Sequence, residues 1–225
     1  MGVRRVFPRR FSGNMASHEA FDPHPARGQN VTPLRRVFQL RISLEGVRPA
    51  VWRRILVTSD TPLEKLHRVI QAAMGWEDFH LHYFTVGTAL YQPQAMMEET
   101  DLMPPALPAD FSIKSEQGVR LSRALAGQDR FLYLYDFGDN WEHEVRMEKE
   151  LPLDPAGRYP MCVEGKRACP PEDVGGPDGY RDFLEALGSP AHPDHETLKD
   201  WAGRDFDPDL FDLETANRRL EKLKS

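Results

Sequence analysis

The stretch FLYLYDFGDNWEHEVRM, residues 131–147, decides how this chain folds. Apolar and aromatic residues take alternate positions on both sides of GDN, the period of paired strands that bury one face. A loop of Gly138 to Asn140 places Phe137 opposite Trp141, Tyr135 opposite His143, Tyr133 opposite Val145 and Phe131 opposite Met147. That register makes one face continuously aromatic and apolar. On the other face it brings Asp136 next to Glu142.

The same period recurs upstream. In VFQLRISL, residues 37–44, Phe38, Leu40, Ile42 and Leu44 alternate with polar residues; the turn EGVRP and then VWRRILV complete a hairpin. LHYFTVG and ALYQP form a second strand pair. Between the pairs lies a helix, with Thr61 as N-cap, Pro62 at the first helical position and Glu64 completing a capping box. Its buried face carries Leu63, Leu66, Ile70 and Ala73, and Gly75 stops it. Residues 92–110 read as a long loop, and Leu121 to Leu125 as a short helical turn. Six prolines between Leu151 and Pro177 argue against regular structure there. Helices return in GYRDFLEALG, where Tyr180, Phe183, Leu184 and Leu187 share a face, and in HPDHETLKDW. The last helix opens at Asp212 and buries Leu213, Ala216, Leu220 and Leu223. The expected class is α+β: a mainly antiparallel sheet of hairpins, helices packed on one face, and a helical C-terminal end.

Composition narrows the function classes. With 225 residues, 40% of them apolar and 28% charged, the chain can build one domain with a substantial core. No apolar run approaches the roughly 20 residues that cross a bilayer, and the basic start lacks the apolar segment of a secretory signal. Two cysteines suit a reducing, cytoplasmic setting. Residues 1–33 lack periodicity and read as a disordered basic extension to a single domain, residues 34–225. Net charge is +8 up to Arg54 and −14 beyond it. The acidic bulk disfavours a nucleic-acid surface, leaving the basic arm, residues 1–54, as the place for such contacts.

Three separated signatures then stand out in order: LRRVFQLRISLEGVRPAVWRRI, LYDFGDNWEHEV and PMCVEGKRACPPEDVGGPDGYRDFLEAL, with HLHYF between the first two. Together they resemble the plasmid pRiA4b ORF-3-like family, from about Leu34 to Leu223. The resemblance implies a compact α+β domain found in plasmid, transposon and genomic settings. Some relatives are labelled as insertion-element passenger proteins of resolvase type. It implies no established activity. Relatives often carry a cysteine inside PPED-x-GG, where this chain has Val174.

The candidate sites follow from these motifs. Asp136, Asp139, Glu142 and His143 lie within eight residues, a density that suits a divalent metal or acid–base work, although tight turns also favour Asp139 and Asn140. His80 and His82 project to one strand face, with Cys162 and Cys169 as further metal ligands only if the fold gathers all four. Gly175 and Gly176 precede a helix and offer backbone N–H groups to an anion, but Glu172 and Asp173 oppose phosphate. No cofactor fingerprint is present, and no serine sits in a nucleophile context that would suit a resolvase. The leading expectation is a non-enzymatic module that holds a protein or peptide through the exposed part of the hairpin 131–147 and the Pro/Gly loop 160–180, with Trp141 and Tyr180 among its contacts. A metal-dependent or small-ligand enzyme is the alternative, and a nucleic-acid accessory factor the third.

Overall fold

The alternating segments assemble into one eight-stranded sheet in the computed structural model, which describes residues 35–98 and 110–224. β1 (Arg36–Leu44) and β2 (Trp52–Thr58) form the first hairpin, with Leu40 opposite Ile55. β3 (His82–Val86) and β4 (Ala89–Gln92) form the second. β6 (Arg130–Tyr135) and β7 (Trp141–Pro152) form the third, and β7 also pairs antiparallel with β1. Two further strands complete the order β5-β4-β3-β6-β7-β1-β2-β8. β5 (Ser112–Ser115) runs parallel to β4, and β8 (Met161–Lys166) antiparallel to β2.

Five helices accompany the sheet: α1 (Leu63–Met74), α2 (Leu121–Leu125), α3 (Gly176–Gly188), α4 (His195–Ala202) and α5 (Leu213–Glu221). The alternation sends Leu40, Ile42, Ile55, Phe84, Tyr133 and Val145 into one core with Leu66, Ile70, Phe183 and Leu220 of the helices. The opposite sheet face is polar, where Arg54 pairs with Glu148 and Arg41 lies over the ring of Trp52. The α+β class and the one-sided packing of helices therefore hold. The extension at residues 1–33 and most of the loop at 92–110 lie outside the described residues.

Four local expectations change. The ladder of the third hairpin closes at Tyr135 and Trp141, two residues earlier than a three-residue loop requires. Asp136 and Asn140 both adopt left-handed conformations, φ 62° and 54°, and the Asn140 N–H donates to the Asp136 carbonyl at 2.7 Å. A slip of two keeps every side chain on its face, so Phe131, Tyr133, Tyr135, Trp141, His143 and Val145 are all buried as the pattern requires. Phe137 leaves the ladder, Leu134 takes the place opposite Glu142, and Asp136 turns inward.

Second, α1 begins at Leu63 without a capping box. Tertiary partners replace it: the Leu63 N–H donates to the Val119 carbonyl at 2.9 Å, and the Glu64 carboxylate accepts from the Gly118 N–H at 3.1 Å. Third, β8 occupies the proline-free window between Pro160 and Pro170, because an edge strand needs only one ladder and tolerates flanking prolines. Fourth, Leu213 is exposed and Leu223 only half-buried, since α5 docks through Ala216 and Leu220.

Two polar side chains tie elements together. Arg53, on the inward phase of β2 and 1% exposed, donates from Nε to the Ala73 carbonyl at 2.9 Å and from Nη1 to the carbonyls of Trp52 and Lys166 at 2.9 and 3.0 Å. Its guanidinium also lies 4.1 Å from the ring centre of Phe211. Asn217 of α5 accepts from the Cys162 N–H and donates to the Cys162 carbonyl, each at 2.9 Å, matching the outer rim of β8 as a neighbouring strand would.

Two measurements check this core. Trp141 has no solvent exposure, so Trp141→Ala should cost about 3–5 kcal/mol in urea unfolding; a loss under about 1 kcal/mol would place the ring outside the core. Burial also pushes the His143 imidazole down to about 4 from 6.5. A lowered folded pKa means the unfolded chain binds the extra proton, so stability is full above about pH 6.5 and falls as pH drops through 4. The loss assigned to His143 is at most about 3 kcal/mol, and burial of His67 adds in the same direction. Urea unfolding at stepped pH should show a shallower slope over this window in His143→Leu; an unchanged slope would remove His143 from the account.

Candidate metal centre

Three loops meet at one end of the central strands: residues 76–81 between α1 and β3, residues 136–140 between β6 and β7, and residues 168–175 before α3. Their contacts are specific. The Asp139 carboxylate accepts from the Gly175 N–H at 3.0 Å. Gly176, at φ 69°, lies so close to the Asp139 carbonyl that a Cβ would fall 2.4 Å from its oxygen. The Trp76 indole N–H donates to the Pro170 carbonyl at 3.0 Å, and Glu172 accepts from the Glu77 N–H at 3.0 Å and the Tyr135 hydroxyl at 3.1 Å. Gly175 and Gly176 therefore serve close packing. The Gly175 amide expected for an anion is taken by a carboxylate, which would itself repel one.

Within this junction His80, Asp136 and Asp173 converge, with their ligand atoms all within 4.8 Å of one another. His80 Nε2 lies 3.1 Å from Asp173 Oδ1 and 3.6 Å from Asp136 Oδ2. It is shielded from solvent, yet neither approach has the alignment of a hydrogen bond. The Asp136 side chain is 7% exposed, and its other oxygen accepts from the Gly138 N–H at 2.8 Å. Asp173 lies on the solvent side, 69% exposed. Ligands about 2.1 Å from one ion stand about 3 to 3.5 Å apart, so the His80–Asp173 spacing fits two ligands of one cation and the His80–Asp136 spacing lies just beyond it.

Tyr135 separates this cluster from a second, buried one. His80 meets the Tyr135 ring edge-on with ring centres 5.8 Å apart, and the His67 ring centre lies 6.5 Å from that of Tyr135. His67 and His82 stack with ring centres 3.5 Å apart and planes within 3°. His67 Nε2 is 2.6 Å from Asp78, its Nδ1 is 2.8 Å from the Tyr133 hydroxyl, and Gln71 Nε2 donates to that hydroxyl at 2.9 Å. Every polar atom of this chain is satisfied if His67 donates to Asp78 and accepts from Tyr133. Burial holds His67 below its ordinary range and pushes Tyr133 well above its own. His82 pairs with the buried Glu116 at 3.0 Å.

The candidates from sequence thus separate. His80, Asp136 and Asp173 come together, with Glu172 and Asp139 bracing them. His82 does not join His80, because β3 begins at His82 and leaves His80 in the preceding loop. Cys162 and Cys169 are free thiols outside the cluster, both raised by burial. Glu142 is exposed on the polar face, and His143 is sealed in the core with Nδ1 3.2 Å from the Tyr133 carbonyl. Trp141 and Tyr180 are buried rather than available to a partner, since the strand alternation and the α3 core stripe both point them inward. Sequence reasoning missed Tyr135 and the His67 network. The HLH alternation hid the first half of the answer, and nothing local links positions 80, 136 and 173.

Two hollows flank the junction. One, of about 570 Å³, is lined by Arg53, Trp76, Phe79, Glu172, Phe211 and Arg219. The other, of about 730 Å³, lies between α3 and α4 and reaches Asp173. No helix among the described residues is long and apolar enough to cross a membrane.

A family model described as plasmid pRiA4b ORF-3-like protein matches residues 36–215. The chain is 36% identical over 189 residues to a Sinorhizobium fredii (strain NBRC 101917 / NGR234) protein described as uncharacterized protein y4hQ, covering 83% of this chain and 92% of that one. It is also similar to the crystal structure of a protein of unknown function, MM3350 from Methanosarcina mazei Go1, with a TM-score of 0.70 and 38% identity over 80% of this chain and 97% of that one. Neither description carries the insertion-element passenger label that the resemblance had suggested. With a family match spanning all eight strands and a solved relative of the same fold, the chain belongs to the plasmid pRiA4b ORF-3-like family.

Proposed function

We propose that this protein is a metal-dependent hydrolase whose centre is His80, Asp136 and Asp173. One observation carries the reading: His80 Nε2 and a largely buried Asp136 face the same point without a hydrogen bond between them. A desolvated imidazole nitrogen left that way costs free energy, and a cation shared with the two carboxylates would offset it. One imidazole and two carboxylates suit Mn²⁺, Fe²⁺ or Zn²⁺, and three protein ligands leave positions open for water and substrate. Such an ion lowers the pKa of a bound water towards neutrality. Glu172, next to Asp173 and within electrostatic reach of His80, would serve as the base towards such a water. Its own carboxylate is oriented by Tyr135 and the Glu77 amide.

The non-enzymatic reading would rest on other residues of the hairpin 131–147 and the loop 160–180, because Trp141 and Tyr180 are core residues.

Native mass spectrometry of the purified chain, with added Mn²⁺ or Zn²⁺ and then chelator, should show one ion per chain. Asp136→Asn is the clean variant, since Asn also tolerates the left-handed turn and still accepts from Gly138. It should weaken metal binding by tenfold or more, about 1.4 kcal/mol, at unchanged melting temperature. A chain that binds no divalent ion sinks the reading. In a panel of nitrophenyl esters and phosphates, turnover should require metal and disappear in Glu172→Gln while metal binding stays. Metal without any hydrolysis would leave a binding protein and remove the enzyme.

A further inference from the structure

The cleft between α3 and α4 carries chemistry that the metal centre does not use. Its floor is apolar: Phe183 and Leu198 line it, and Trp201 stands over it half-exposed, edge-on to Phe183 at 5.8 Å. Its rim is acidic, with Asp182, Glu185 and Asp194 around the opening, and no lysine or arginine contributes to the lining. Asp182 shares its charge with Arg181, whereas Glu185 has no ion pair among the described residues. At about 730 Å³ the hollow has room for a few side chains rather than a single methyl or ring.

An exposed tryptophan beside a hollow is costly to leave in water, and aromatic anchors of this kind dominate peptide interfaces. The lining holds no lysine or arginine, and its one imidazole, His192, lies 4.0 Å from Asp194; acidic groups so placed select the charge of the occupant and steer its approach. A neutral apolar ligand would leave the rim unused, and an anion would be repelled by it.

We propose that the α3–α4 cleft binds a short basic peptide segment that places one aromatic or aliphatic side chain against Trp201 and Phe183 and its arginines or lysines against Glu185 and Asp194. The proposal goes beyond the hydrolase reading and does not depend on metal. Asp173 nevertheless lines the cleft as well as the metal centre, so an occupant would lie beside that centre.

The test is a fluorescence-anisotropy titration of the full-length chain with a labelled peptide of alternating Arg and Phe. A peptide with Glu in place of Arg, and one with Ser in place of Phe, serve as controls. The Arg/Phe peptide should saturate at one per chain, weaken with salt, and outcompete both controls. Trp201→Ala and Glu185→Lys should each reduce affinity about tenfold or more. Both positions are exposed, so the melting temperature should not move. Glu150→Lys, an exposed residue on β7, should leave binding unchanged. Binding that ignores both cleft variants would be adsorption to an acidic protein and would overturn the proposal. So would equal binding of the Ser peptide, or displacement by spermine as effective as by unlabelled peptide, since either makes the site a generic polycation surface. Absence of saturable binding overturns it outright. The titration is repeated with chelator: loss of peptide binding only in Asp136→Asn would contradict independence from metal, whereas failure of metal binding alone would leave the cleft untouched.

Discussion

A single buried guanidinium holds the functional end of this fold in place. Arg53 reaches out of β2 and donates to the carbonyls that end α1, to its own strand and to the end of β8, with Phe211 stacked against it. Arginine is almost never fully buried without a partner, and among the described residues this one makes no ion pair with a carboxylate. The partial negative charge at the C-terminal end of α1 and the carbonyls around it take that place. Burial lowers the Arg53 pKa, although an arginine guanidinium is in general not deprotonated in proteins. The end of α1 is thereby fixed against the sheet, and the loop that follows, from Trp76 to His80, inherits a fixed origin.

That origin matters because the metal-type cluster draws on loops far apart in sequence. His80 comes from the loop after α1, Asp136 from the tip of β6 and β7, and Asp173 from the proline-rich segment before α3. Each is positioned by something rigid: the Arg53 clamp, a left-handed turn, or a pair of prolines followed by Gly175 and Gly176. Tyr135 is the common wall. Its hydroxyl links the Phe79 amide to Glu172, and its ring divides the solvent-facing cluster from the stacked pair of His67 and His82. Inside, the hydrogen bonds of His67 are complete; at His80 they are not. The shielded Nε2 of His143 also lacks a partner but forms no ion pair among the described residues, so the two acidic neighbours of His80 are what set that position apart.

Much of this architecture could be read from alternation and capping alone. The three hairpins, α1, α2 and the helical C-terminal end follow from period and stop signals, and the aromatic face of residues 131–145 survives a register slip because the slip is even. The losses have physical causes. β5 is four residues long and half-exposed, so it has no apolar pattern to announce it. β8 hides among prolines that an edge position tolerates. The capping box at Thr61 lost to a tertiary partner, since Val119 offers α1 a backbone acceptor that no local rule anticipates. For the site, HLH and DFGD each contributed one member of the cluster and PPED a third, but their convergence depends on the strand order placing β3 beside β6. No spacing rule encodes that adjacency.

The side-chain amide of Asn217 has a consequence for how copies of this protein behave towards one another. A sheet that ends in β8 presents a row of backbone donors and acceptors, the template on which strands of neighbouring molecules add. By occupying both backbone groups of Cys162, Asn217 blocks that row near its start and lets α5 lie across it. At the far side, β5 is too short and too polar to recruit a strand. Shielding of the β8 edge thus rests on a helix near the C-terminus, so fraying of α5 would open a template for self-association together with the part of the core that Ala216 and Leu220 fill.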